Sequence, residues 1–178
     1  NGVESDPGAW IVREDAPGNV PTPYPDYPNP EAEPVRLYPR AGGSGIGGLG
    51  LTPPGEQGSE TLVDDVSLDG AALALAERSD HRLLYATPEL TGDVHISGVP
   101  RVTIRIAADR PAANLSVWLV SLPWTEGGAV TDNIITRGWA DPQNDGSLRE
   151  STPLVPGEFR ELTFDLQPDD QVVRAGQR

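Results

Sequence analysis

Arg101 to Trp124 reads RVTIRIAADRPAANLSVWLVSLPW, and its pattern decides the fold class. The stretch reads as two β-strands separated by a polar turn. In the first, Val102, Ile104 and Ile106 share one face and Thr103, Arg105 and Ala107 the other, because successive side chains of a strand point to opposite sides. Asp109, Arg110 and Pro111 break the run: proline donates nothing to a ladder and aspartate favours a turn. The second strand, Asn114 to Leu122, has Leu115, Val117 and Leu119 on one face and Trp118, Val120 and Leu122 on the other. A strand apolar on both faces is expected to sit centrally, covered on both sides. On this reading the Trp118 side faces a neighbour that lies outside these residues.

The rest of the chain supplies further short strands. Arg82–Thr87, Asp93–Ser97 (Val94 and Ile96 inward), Val130–Trp139 and the alternating Leu162, Phe164 and Leu166 all read as strand. One helix is expected over Ser67–Arg78, capped by Ser67 or Asp69 and built on alanine and leucine. Short strands with turn signals between them, plus one helix, indicate an all-β antiparallel sandwich. Ahead of it lie a proline-punctuated segment from Ala16 to Pro39 and a glycine-rich segment from Ala41 to Glu60. The first reads as an extended connection between domains, with Tyr24, Tyr27 and Tyr38 able to lie along a partner surface. The second reads as a flexible loop, or as a loop lining a neighbouring domain's pocket, since glycine permits close backbone approach. The expected division is therefore 1–59 as extension and 60–178 as sandwich. Val172 and Val173 run into AlaGlyGlnArg with no closing strand in view, and the absence of methionine makes Asn1 an unexpected translation start. The native polypeptide is expected to continue past both ends.

Composition narrows the chemistry. At 178 residues the chain can bury a core without metal or disulfide support. It has no cysteine, which excludes thiolate catalysis and cysteine-ligated zinc. A formal charge of −14 argues against nucleic acid and anionic membranes as partners. The 13 basic residues are all arginine. No run of about 20 apolar residues is present. The compartment stays open between secreted and cytoplasmic.

Motifs that carry chemistry are weak here. Gly43, Gly45 and Gly48 satisfy G-x-G-x-x-G, but no helix follows; Pro53 and Pro54 arrive instead. Gly42 to Ile46 misses the last glycine of a nucleophile elbow. His81 follows Ser79 and Asp80 in sequence, whereas triad partners converge from separate segments. His95 lies on the strand face opposite Val94 and Ile96, as a surface or interface residue. Asp141 to Gly146 resembles the start of a calcium loop, yet Gln143 and Thr152 stand where ligands are needed. Asp64, Asp65, Asp169 and Asp170 read as solvated turns. Asn114-Leu115-Ser116 fits a glycan acceptor but opens an expected buried strand, where no glycan fits. Trp118, Trp124 and Trp139, with Tyr85, form either a sugar-stacking platform or, more commonly in sandwiches, core and interface. No metal, cofactor or catalytic residue is assigned within the chain.

Taken in order, RLLYATPEL, GDVHISGVPRVTIRIAAD, AANLSVWLVSLPW, ITRGWADPQ, PLVPGEF and LTFDLQPDDQVVRAGQR resemble the C-terminal jelly-roll domain of serine hydrolases. These are the X-Pro dipeptidyl-peptidases together with cocaine-esterase-like and acyl-ester hydrolases. The resemblance covers about residues 60–178 well and is strongest to the X-Pro branch through RGWADPQ and SVWLVSLPW. It implies a galactose-binding-like jelly roll that packs on an α/β-hydrolase domain of the same polypeptide and helps wall its active site. It also implies a peptide substrate with proline second. The family's Ser, Asp and His all lie upstream, so none maps onto residues here. The glycine-rich segment is the part placed nearest the pocket, with Leu49 and Leu51 as lining candidates. Two other readings are carried: a carbohydrate-binding β-sandwich module, and the same domain in an ester or β-lactam acyl hydrolase.

Overall fold

A computed structural model describes residues 5–13 and 17–178. The described part of the expected extended segment therefore begins at Pro17. Eleven short strands and one α-helix are present: β1 Ala9–Ile11, β2 Thr22–Tyr24, β3 Tyr38–Pro39, β4 Gly47–Gly50, α1 Gly70–Leu75, β5 Tyr85–Ala86, β6 Val94–Gly98, β7 Arg101–Ile106, β8 Leu115–Val120, β9 Ile134–Ala140, β10 Arg160–Asp165 and β11 Asp169–Val173. Pairing is antiparallel in β1–β2, β3–β4, β7–β10 and β8–β9, and parallel in β4–β5. β6 pairs with β11. The fold is all-β and mainly antiparallel, as its alternating apolar pattern requires.

The chain forms two compact units. The first takes the described residues of Asn1–Pro30 with Ile96–Val120 and Ile134–Gln171; the second takes Glu31–His95, Ser121–Asn133 and Val172–Arg178. These limits differ from the expected division at residue 60. The Pro-rich segment is divided between the units at Pro30/Glu31, and the Gly-rich segment lies in the second.

In the first unit, β7 and β10 run in register from Arg101↔Asp165 to Arg160↔Ile106. One face sets Val102 opposite Phe164 and Ile104 opposite Leu162, and Leu162 is only 2% exposed. The other face pairs polar groups. Arg101 Nε donates to Asp165 at 2.6 Å, the Thr103 and Thr163 hydroxyls meet at 3.0 Å, and Glu161 stands opposite Arg105. In β8–β9 the inner rows are Leu115, Val117 and Leu119 against Ala140, Gly138 and Thr136. Gly138 lets the end of β10 cross closely: a Cβ there would lie 2.9 Å from the Asp165 carbonyl oxygen and 3.0 Å from Leu166 Cα. Just past β10, the Gln167 N–H donates to the Arg137 carbonyl at 2.9 Å, and Thr136 Oγ1 donates to the Gln167 carbonyl at 2.7 Å.

Several expectations change on contact with the structure. Among the described residues β8 is bonded to β9 alone and is not the middle of a wider sheet. A β-bulge lies where the pairing passes from Leu119↔Thr136 to Val120↔Ile134, so β9 carries one extra residue there, Ile135. Val94, expected inward, is 42% exposed. The helix is six residues rather than twelve. Asp69 is its cap, accepting from the Ala72 N–H at 2.7 Å. Ala76 turns extended at the other end (φ −62°, ψ 129°). The strand expected over Arg82–Thr87 shrinks to Tyr85–Ala86.

The glycine-rich segment is not a loop throughout but contains β4. A further strand, β11, follows β10, where none was expected. Its alternation was hidden by Asp169, Asp170 and Gln171. Beyond it, backbone bonds run in both directions between Leu122 and Arg178 at 2.9 Å.

In the proline-punctuated segment, Tyr24 and Tyr27 turn their hydroxyls into the first unit. Tyr24 donates to Asp170 at 3.3 Å, and the Tyr27 hydroxyl lies 3.1 Å from the carbonyls of Gly98 and Asp169. Tyr38 is half-buried in β3. Asn114 and Ser116 are exposed, so the steric objection to a glycan on that acceptor does not hold.

Candidate functional site

The glycine-rich segment is shaped by what must lie against it. The Tyr85 ring rests on Gly43 and Gly47, where a Cβ would come within 2.9 and 2.7 Å of ring atoms. Both glycines are buried, and any other residue would have to displace the ring. The Tyr85 hydroxyl donates to Glu60 Oε2 at 2.8 Å, while Glu60 Oε1 accepts from the N–H groups of Gly42 and Gly43 at 2.8 and 2.9 Å. These bonds favour the ionised carboxylate. The Gly42 N–H, followed by the Tyr85 hydroxyl, holds the Glu60 carboxyl below its ordinary range. Burial, aided by the carboxylate beside it, pushes the Tyr85 phenol up.

Arg82 fastens the other side of the same segment. Its guanidinium donates to the carbonyls of Leu73 (3.1 Å), Gly43 (3.0 Å), Gly45 (2.6 Å) and Ala76. It therefore closes the orphan carbonyls at the end of α1 and fixes the glycine segment with one group. Burial lowers its affinity for the proton.

Between these fixed points lies an open cleft of about 550 Å³, lined by Arg40, Ile46–Gly50, Ala86–Pro88 and Arg178. The Arg40 side chain runs over Gly48 and Gly50, where a Cβ would stand 3.3 Å from its Cδ and 3.0 Å from its Nε. Arg40 then ends in bonds from its guanidinium to the Thr52 carbonyl and hydroxyl at 3.3 and 3.1 Å. Leu49 lines this cleft; Leu51 does not, and is 71% exposed. The groups gathered here are glycine backbone, apolar side chains, the Thr87 side chain and two guanidiniums. That set can bind and position a ligand but holds no nucleophile paired with a base.

The other sequence candidates are dispersed. His81 Nδ1 lies 2.8 Å from the Val63 carbonyl, and the His81 backbone N–H donates to Ser79 Oγ at 3.0 Å. His95 is exposed in β6. Asp141 caps a short 3₁₀ turn by accepting from the Gln143 N–H at 2.9 Å. Among the described residues, no group of three or more His, Asp or Glu could hold a metal ion, and no helix is long and apolar enough to cross a membrane. Trp124 and Trp118 are half-buried. Trp139 is 56% exposed, with the Arg137 guanidinium 5.3 Å from its ring centre. The Arg82 and Glu60 clasps escaped the sequence reading, because neither sits in a recognisable motif; the unbroken glycine content of the segment was their only trace.

Comparison with known proteins gives the architecture its family. The model of the X-Pro dipeptidyl-peptidase C-terminal non-catalytic domain matches residues 1–178. The chain belongs to this family. It is 58% identical over its whole length to a Rhodopirellula baltica protein named "Putative Xaa-Pro dipeptidyl-peptidase", covering 29% of that protein. It is 33% identical over 99% of its length to a Bacillus anthracis protein of the same name, covering 28% of it. The domain thus spans less than a third of these curated relatives. In fold it is similar to an aminopeptidase from a marine sediment Thaumarchaeota archaeon, with a TM-score of 0.70 at 18% identity over 96% of the domain and 32% of that chain. It is also similar to an α-amino acid ester hydrolase, with a TM-score of 0.55 at 16% identity over 79% of the domain and 27% of that chain.

Proposed function

We propose that this domain serves a serine exopeptidase that releases N-terminal X-Pro dipeptides, packing on its α/β-hydrolase domain and helping to wall the active site. The single observation that carries the reading is the family match across residues 1–178 by a domain that fills only 29% of its relative. The chemistry is assigned upstream of these residues. There a serine would attack the carbonyl of the proline, a histidine would take the serine's proton and pass it to the departing amine, and an oxyanion hole would hold the tetrahedral intermediate before the acyl-enzyme forms and is hydrolysed. On this reading the cleft face of β4 belongs to the wall. Leu49 supplies the apolar lining, and Leu51, two residues on, is assigned to its rim. A peptide whose second residue is proline suits a surface of glycine backbone and leucine, because proline offers a rigid apolar ring and no N–H to satisfy.

The test is an assay on an Ala-Pro chromogenic amide. The full-length polypeptide should turn it over, the 178-residue chain should not, and Leu49→Ala in the full-length protein should raise KM more than it lowers kcat. Turnover by the 178-residue chain that is abolished at His81 or His95 would overturn the non-catalytic assignment. An ester turned over in preference to the X-Pro amide would move the polypeptide to the acyl-ester branch.

A further inference from the structure

We propose that the outer face of β8–β9 is the surface on which the remainder of the polypeptide docks, through an acidic side chain framed by apolar groups. This rests on the reading that the domain serves a larger hydrolase. Register sets Trp118 directly opposite Arg137 and Ser116 opposite Trp139, so four side chains share one outward surface. Trp118 is held in place, its indole N–H donating to Ser116 Oγ at 3.1 Å. Arg137 lies over the Trp139 ring, which is 56% exposed. Two indoles flanking a guanidinium on paired strands form a rigid platform, with large apolar area and little rotamer freedom left to lose on binding.

Charge selects the occupant. Among the described residues Arg137 has an aromatic partner but makes no ion pair, in a chain whose formal charge is −14. Arg101, Arg160 and Arg174 each find an aspartate in the domain itself. A guanidinium stacked on an indole and lacking a carboxylate is complementary to an acid brought from elsewhere. The relatives supply the elsewhere: at 29% coverage, most of such a polypeptide lies outside this domain. Tryptophan and arginine are also the residue types most enriched where binding energy concentrates.

The experiment uses the full-length polypeptide carrying Trp139→p-benzoylphenylalanine, irradiated and mapped by mass spectrometry. The expected product is an intrachain link from position 139 to a peptide upstream of Asn1 that contains Asp or Glu. Arg137→Glu should cut that yield at least tenfold, and reversing the partner acid to lysine should restore it. The photoreactive group at Val155, which is 61% exposed, should not label the same peptide. Links confined to residues 1–178, links only between two copies, labelling only of an added oligosaccharide, or a yield unmoved by Arg137→Glu would each overturn the proposal. Turnover of an X-Pro amide by the same samples is read separately. Loss of turnover with the link intact counts against the reaction assigned above, not against the docking face.

Discussion

Two strand pairs of one unit, β7–β10 and β8–β9, have apolar inner rows and differ on the outside. The outer face of β7–β10 settles its own polar groups, with Arg101 on Asp165 and Thr103 on Thr163. That of β8–β9 carries Trp118, Arg137 and Trp139 and makes no ion pair among the described residues. The first is built for water. The second has the composition of an interface centre, depleted of acids and rich in tryptophan and arginine. Strand alternation alone does not separate them; what does is whether each outward charge has an opposite neighbour across the ladder.

If the difference is confined to the outer faces, damage to the inner rows should cost both pairs alike. Leu162→Ala removes a side chain that is 2% exposed and is expected to destabilise by about 2–5 kcal/mol in chemical denaturation. Gly138→Ala forces a methyl against the Asp165 carbonyl and Leu166 Cα, and is expected to cost about 1–3 kcal/mol. A negligible cost at Gly138 would mean that β9 and β10 are not locked together as described.

The outer faces should then diverge. Trp139→Ala is expected to cost the 178-residue chain no more than about 1 kcal/mol, as for an exposed cation–π partner. In the full-length polypeptide it should cost clearly more. Equal effects in the two settings would erase the contrast.

The smallest expected effect is electrostatic. The hydrogen bond from Arg101, then its charge, hold the Asp165 carboxyl below its ordinary range. A depressed carboxyl contributes stability above its unfolded pKa and loses it as pH falls through the folded one. Acid titration of stability should therefore lose a small step in Asp165→Asn, and added salt should weaken the same contribution. Arg137→Gln should leave the acid limb of the 178-residue chain unchanged.

How far the sequence could be read follows from the same physics. Periodicity exposed β7, β10 and the inner row of β8, because Val102, Leu162 and Val117 alternate with polar or outward residues. It could not show that β8 pairs with β9 alone among the described residues, since the alternation of a strand does not say how many neighbours it has. β11 was missed because its Asp169-Asp170 opening looks like a turn, although Asp170 is buried. In the candidate site, the glycines announced close approach without naming what approaches. Tyr85, Glu60 and Arg82 meet them across long sequence separations that no local pattern encodes. The family resemblance did what local reading could not, because its motifs are spread along the whole domain.

The Arg82 clasp has a consequence for tolerance of the surroundings. Its partners are neutral carbonyls, so dissolved ions have no opposing charge to shield, unlike at Arg101. The helix end and the glycine segment it ties together should hold their shape in brine as well as in dilute buffer. They should also come undone as a single piece once that one side chain is shortened.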